Sequence, residues 1–84
     1  MDAEQIRASV RQTVASVANL DLQVVSDDAS YKGDLSLDSL TILEIAVDVE
    51  SQFGIDISDE ELSCVQTVGD TVRLIQQHLC GAPA

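Results

Sequence analysis

An all-α domain of four helices, with a long first connection and a short third helix, is the fold class these 84 residues predict. Three observations carry it. Apolar residues recur at helical spacing through three segments. Helix-start signals precede each periodic segment. Turn formers cluster only between the segments.

In the first segment Ile6, Val10, Val14 and Val17 fall four, four and three apart and form one apolar stripe. Asp2 followed by Gln5 reads as a cap with its capping-box partner. The pattern fades at Asn19 and Leu20. Its β-branched residues lower intrinsic helicity, so packing must hold this helix. Residues 19–37 show no sustained period and are rich in Asp, Ser and Gly. Leu20, Leu22, either Val24 or Val25, Tyr31 and Leu35 are its spaced apolar anchors. This is the pattern of a loop crossing a core, with room for one short helical turn.

The second helix is expected from Ser39 to about Phe53, capped by Asp38 and ended by Gly54. Its core stripe is Ile42, Ile45, Ala46, Val49 and Phe53. That assignment leaves Leu40, Leu43 and Val47 on another face, among Glu44, Asp48 and Ser51. Ser58-Asp59-Glu60-Glu61 is a capping box before a third helix of one or two turns. Thr67-Val68-Gly69-Asp70 repeats the cap logic and opens a last helix with Val68, Val72, Ile75 and Leu79 on one face. Gly81 and Pro83 are the expected stop.

Composition bounds the function. The chain makes one domain, residues 1–84, too small for a deep enclosed active site. Fifteen acidic residues against four basic ones give a net charge of −11. Nucleic acid and anionic membrane surfaces are repelled, and basic partner surfaces are favoured. Cys64 and Cys80 stand alone without a metal-ligand pattern, so no zinc site is expected. The N-terminal residues form neither a signal peptide nor a membrane span. A cytoplasmic monomer with reduced thiols is the expectation. Cys64 with His78 lacks any group to orient a nucleophile and base, so no catalytic residue is assigned. Asp28 to Ser39 is spaced like a calcium loop, but Ser30, Lys32 and Ser39 fill places that need carboxylates, so no metal ligand is assigned.

The informative stretch is Asp34-Leu35-Ser36-Leu37-Asp38-Ser39-Leu40. Ser39 opens a helix, where unpaired N–H groups and the helix dipole favour a phosphate on its hydroxyl. With Glu44, Glu50, Phe53-Gly54, Ile57, Asp59-Glu60-Glu61 and Thr67-Val68 following in order, the sequence resembles the centre of acyl carrier proteins. The similarity extends weakly through the first helix and Asp28-Ala29-Ser30-Tyr31.

The resemblance implies a four-helix bundle and no enzymatic activity of its own. It implies a 4′-phosphopantetheine arm on Ser39, installed from coenzyme A by a phosphopantetheinyl transferase that uses magnesium. The arm's thiol would hold acyl groups as thioesters in fatty acid, polyketide or related biosynthesis. Asp38 matches the motif aspartate that assists transferase docking. Leu40, Leu43, Glu44, Val47 and Asp48 fall on the helix that meets acyl-loading, condensing and modifying enzymes through their basic surfaces. Two positions depart from the family pattern: Ser36 stands where glycine is frequent, and Thr41 where another acid is frequent. An unmodified acidic adaptor, and a carrier of aminoacyl or peptidyl groups on the same scaffold, are the alternative functions.

Overall fold

The computed structural model describes residues 2–79. They form four helices, α1 (Ala3–Ala18), α2 (Ser39–Phe53), α3 (Asp59–Cys64) and α4 (Val68–Leu79), with a 3₁₀ turn at Leu22–Val24. Among the described residues there is no strand, only a single bridge pairing Ser30 with Thr67. The fold is therefore the expected all-helical bundle, and the expected stop at Gly81 and Pro83 lies outside the described residues.

Local chemistry sets the boundaries. Asp2 accepts the Gln5 N–H at 2.9 Å while the Gln5 side chain accepts the Asp2 N–H, a complete capping box for α1. Asn19 closes α1 in the left-handed region at φ 57°, which short polar side chains tolerate best after glycine. Gly54 ends α2 in the same way at φ 66°. Ser58 and Glu61 form the second capping box, at the start of α3.

α1 packs against both α2 and α4. The buried core joins Ile6, Val10 and Val14 of α1 to Ile42, Ile45 and Val49 of α2 and Val68, Val72 and Ile75 of α4. The first connection supplies the rest, through Val25, Ala29, Tyr31 and Leu35. Polar ties fix this loop to the helices. The Arg11 guanidinium donates to the carbonyls of Val25 (2.6 Å) and Leu22 (3.1 Å). Tyr31 N–H donates to Gln66 O at 2.9 Å, and Gly69 N–H to Asp27 O at 2.9 Å.

Several side chains sit differently from the sequence pattern. Leu79, expected on the core face of α4, is 40% exposed, and Leu74 is buried in that helix instead. Leu22, expected as an anchor, is exposed because it forms the outer side of the 3₁₀ turn, and Val25 takes the buried place. Val17 and Phe53 are half-buried at the ends of their stripes. Thr13 and Thr71 are buried polar residues. Thr13 is accommodated because its hydroxyl bonds the Ser9 carbonyl (2.9 Å) and accepts from Gln52 Nε2 (2.6 Å), linking α1 to α2.

Candidate functional site

The segment leading into α2 is built to present one turn of helix. Ser30 and Asp34 bond each other reciprocally: Ser30 N–H donates to the Asp34 carboxylate (3.0 Å) and Asp34 N–H to the Ser30 hydroxyl (2.9 Å). Leu35 is buried, and its N–H bonds Ser30 O at 3.0 Å. Ser36 then turns through the left-handed region at φ 54°. Leu37 N–H returns to Tyr31 O at 2.7 Å. This fold-back explains why glycine suits the Ser36 position: the turn needs a positive φ that a Cβ resists.

Asp38 caps α2, accepting the Thr41 N–H at 2.8 Å through Oδ1. That bond holds its carboxyl below the usual carboxylate range, so it stays ionised in mildly acidic solution. Ser39 is the first helical residue and is exposed. The N–H groups of Ser39 and Leu40 point out of the first turn, where no carbonyl of the helix can reach them. A phosphate on the Ser39 hydroxyl therefore meets donors and a favourable dipole, and nothing on the surface covers it.

Beyond Ser39, α2 divides into two faces as the spacing predicts. Ile42, Ile45, Ala46 and Val49 are buried. Leu40, Leu43 and Val47 are 66%, 46% and 56% exposed, with Glu44 and Asp48 exposed beside them. The structure thus gathers Asp38, Ser39, Leu40, Leu43, Glu44, Val47 and Asp48 along one outward side of one helix. Thr41 is half-buried. Among the described residues no group of His, Cys, Asp and Glu could hold a metal ion, and none of the helices is long and apolar enough to cross a membrane. Cys64 is free and exposed on α3, whereas Cys80 lies outside the described residues. His78 Nε2 lies 3.0 Å from Glu61 Oε2, so its hydrogen-bond partner on α3 is Glu61 and not Cys64.

The sequence reading missed Tyr31 and Thr71 as partners. Tyr31 is 1% exposed, and its hydroxyl bonds the Thr71 hydroxyl at the inner end of the same region. Two polar residues on otherwise apolar stretches, forty positions apart, were the only signal available.

A helical domain that presents an exposed serine at a helix start, beside an apolar patch rimmed by acids, is a protein built to be handled by others. The chain belongs to the acyl carrier protein family: a family model described as a phosphopantetheine attachment site matches residues 8–75. Members of this family are carriers rather than enzymes, and phosphopantetheine is their prosthetic group. The chain is 40% identical over 74 residues to an acyl carrier protein of Rhodococcus erythropolis, covering 88% of this chain and 81% of that one. It is 36% identical over 74 residues to the meromycolate extension acyl carrier protein of Mycobacterium tuberculosis, spanning 64% of that protein's length. A solved structure of the acyl carrier protein from Enterococcus faecalis superposes with a TM-score of 0.77 at 29% identity, over 93% of this chain and 99% of that chain.

Proposed function

We propose that this domain acts as an acyl carrier whose attachment residue is Ser39, serving fatty acid, polyketide or related assembly in the cytoplasm. The observation that supports this reading best is the position of Ser39: exposed, at the first residue of α2, directly after an ionised cap at Asp38. In arm transfer the Ser39 oxygen bonds to the phosphorus that carries pantetheine in coenzyme A. The pyrophosphate P–O bond breaks, adenosine 3′,5′-bisphosphate leaves, and the serine proton passes to the transferase. Asp38, exposed and ionised beside Ser39, would help seat the transferase's magnesium. Once attached, the arm supplies a thiol that forms thioesters with acyl groups.

Leu40, Leu43 and Val47 give partner enzymes an apolar contact, and Glu44 and Asp48 meet their basic rims. A patch of this form suits helix-face docking. With coenzyme A, magnesium and a transferase, the wild type gains the mass of one phosphopantetheine and Ser39→Ala gains none while staying helical. Arm transfer to Ser39→Ala would overturn the assignment. A wild type that never accepts the arm would favour the unmodified adaptor.

A further inference from the structure

Four basic residues stand against fifteen acids, and three of the four are engaged. Arg7 pairs with Glu4 (2.8 Å) and Asp27 (2.7 Å), and Arg73 pairs with Asp70 (2.9 Å). Arg11 donates to the carbonyls of Val25 and Leu22. Lys32 is the one lysine of the chain. It is exposed, and among the described residues its ammonium has no ion pair. The Asp34 carboxylate, two residues along, accepts the Ser30 N–H instead (3.0 Å).

This lysine stands beside the attachment serine. The bond from Leu37 N–H to Tyr31 O (2.7 Å) closes the fold-back, so Lys32 and Asp38, which follow its two ends, leave the same point of the chain. Lys32 also borders a surface hollow together with Ile42 of α2. Ser39 and Ile42 are three apart on that helix, which puts their Cβ atoms about 5–6 Å apart on one face. Lys32 is thus on the same side of α2 as Ser39, and its flexible four-carbon stem gives the ammonium reach.

Phosphopantetheine is the prosthetic group of this family, and on Ser39 it brings a singly charged phosphodiester. The first turn of α2 favours that charge through its N–H groups and dipole. The neighbouring Asp38 opposes it, because the Thr41 N–H holds that carboxyl ionised. A cation close to both offsets the repulsion.

We infer that Lys32 is a binding residue for the arm's phosphate: its ammonium pairs with the phosphodiester on Ser39, offsets the repulsion from Asp38 and ties the base of the arm to the first connection as well as to α2. The inference rests on the carrier reading above.

The test uses protein carrying ¹⁵N in the lysine side chain, where a single lysine gives a single ammonium signal. The apo form is compared with the holo form, made with coenzyme A, magnesium and a transferase and verified by intact mass. At low salt, exchange of the Lys32 ammonium protons with water slows about 1.5- to fivefold on arm addition, the range one exposed charge pair allows. The difference shrinks at about 1 M salt, where exposed charges are screened. Melting temperature is the second readout, each variant being compared with its own apo form so that intrinsic stability cancels. The change in Tm on arm addition is about 1–6 °C less favourable in Lys32→Ala than in wild type. Lys32→Glu widens that deficit, and Lys32→Arg removes it. Equal ammonium exchange in the apo and holo wild type overturns the inference, and so does a Tm change on arm addition that is the same in wild type, Lys32→Ala and Lys32→Glu. A wild type that never gains the arm's mass overturns the carrier reading, and this inference with it.

Discussion

Replacing Ser36 by glycine should stabilise the domain, and the size of the effect follows from the backbone. Ser36 sits at φ 54° with its side chain exposed, and its hydroxyl has no hydrogen-bond partner among the described residues. A Cβ in the left-handed region costs about 1–2 kcal/mol. Glycine removes that cost but adds freedom to the unfolded chain, offsetting about 0.5–1 kcal/mol. The turn cannot relax otherwise, because Leu35 N–H is bonded to Ser30 O and Leu37 N–H to Tyr31 O on either side of it. The net gain is about 0.5–1 kcal/mol, which raises Tm by about 3–6 °C in a domain of this size. Thermal melts followed by circular dichroism on wild type, Ser36→Gly, Ser36→Ala and Ser36→Val measure it. Alanine should match wild type, and valine, branched at Cβ, should melt lower. A glycine variant that melts at or below wild type would refute the assignment of strain to this residue.

Three further outcomes are expected. Val47→Asp should keep its helical content but slow arm transfer at every salt concentration, whereas Ile45→Asp, with Ile45 3% exposed, should unfold the domain by placing a charge in the core at a cost of about 4 kcal/mol or more. Circular dichroism beside transfer kinetics checks this, and unfolding of Val47→Asp alone would mean that α2 is rotated. Salt, or a few millimolar magnesium, should raise Tm by relieving repulsion among the fifteen acidic residues, checked by a melting series against ionic strength. Because burial raises the Tyr31 pKa from 10.0 to about 12, the folded state holds that proton more tightly; stability is intact below pH 10 and falls as pH climbs toward 12. Tyr31→Phe should show a shallower alkaline loss in denaturant titrations at pH 9, 10 and 11.

Wherever one residue settles its neighbours, the fold was legible in the sequence. Both capping boxes, the Asp38 cap and the Gly54 stop depend on contacts within four positions, and α2 runs over the expected residues. Its outward face was legible because Ile42, Ile45, Ala46 and Val49 already account for its inner side. Non-local placement was not legible. Leu22 and Leu79 match an apolar pattern, but among the described residues nothing packs over the 3₁₀ turn or the last turn of α4 tightly enough to bury them. The choice between Val24 and Val25 depended on how the 3₁₀ turn meets the core, where Val25 is buried and Val24 is 53% exposed. Ser36 was noticeable as a departure from glycine, though its positive φ was visible only in the fold-back from Leu37 to Tyr31. The Tyr31–Thr71 pair needed the bundle to be closed before the two hydroxyls met.

The bridge between Ser30 and Thr67 also orders events during synthesis. Ala29 O accepts from Val68 N–H (3.2 Å), Tyr31 N–H donates to Gln66 O (2.9 Å), and the Tyr31 hydroxyl meets Thr71, forty residues later. At about 5–20 residues per second, the ribosome delivers those partners roughly 2–8 s after the loop that needs them. Until then the approach to Ser39 has no anchor on α4, and the fold-back at Leu35–Leu37 hangs on the unsecured Tyr31. A nascent chain therefore sets Ser39 in its folded surroundings only when α4 has emerged.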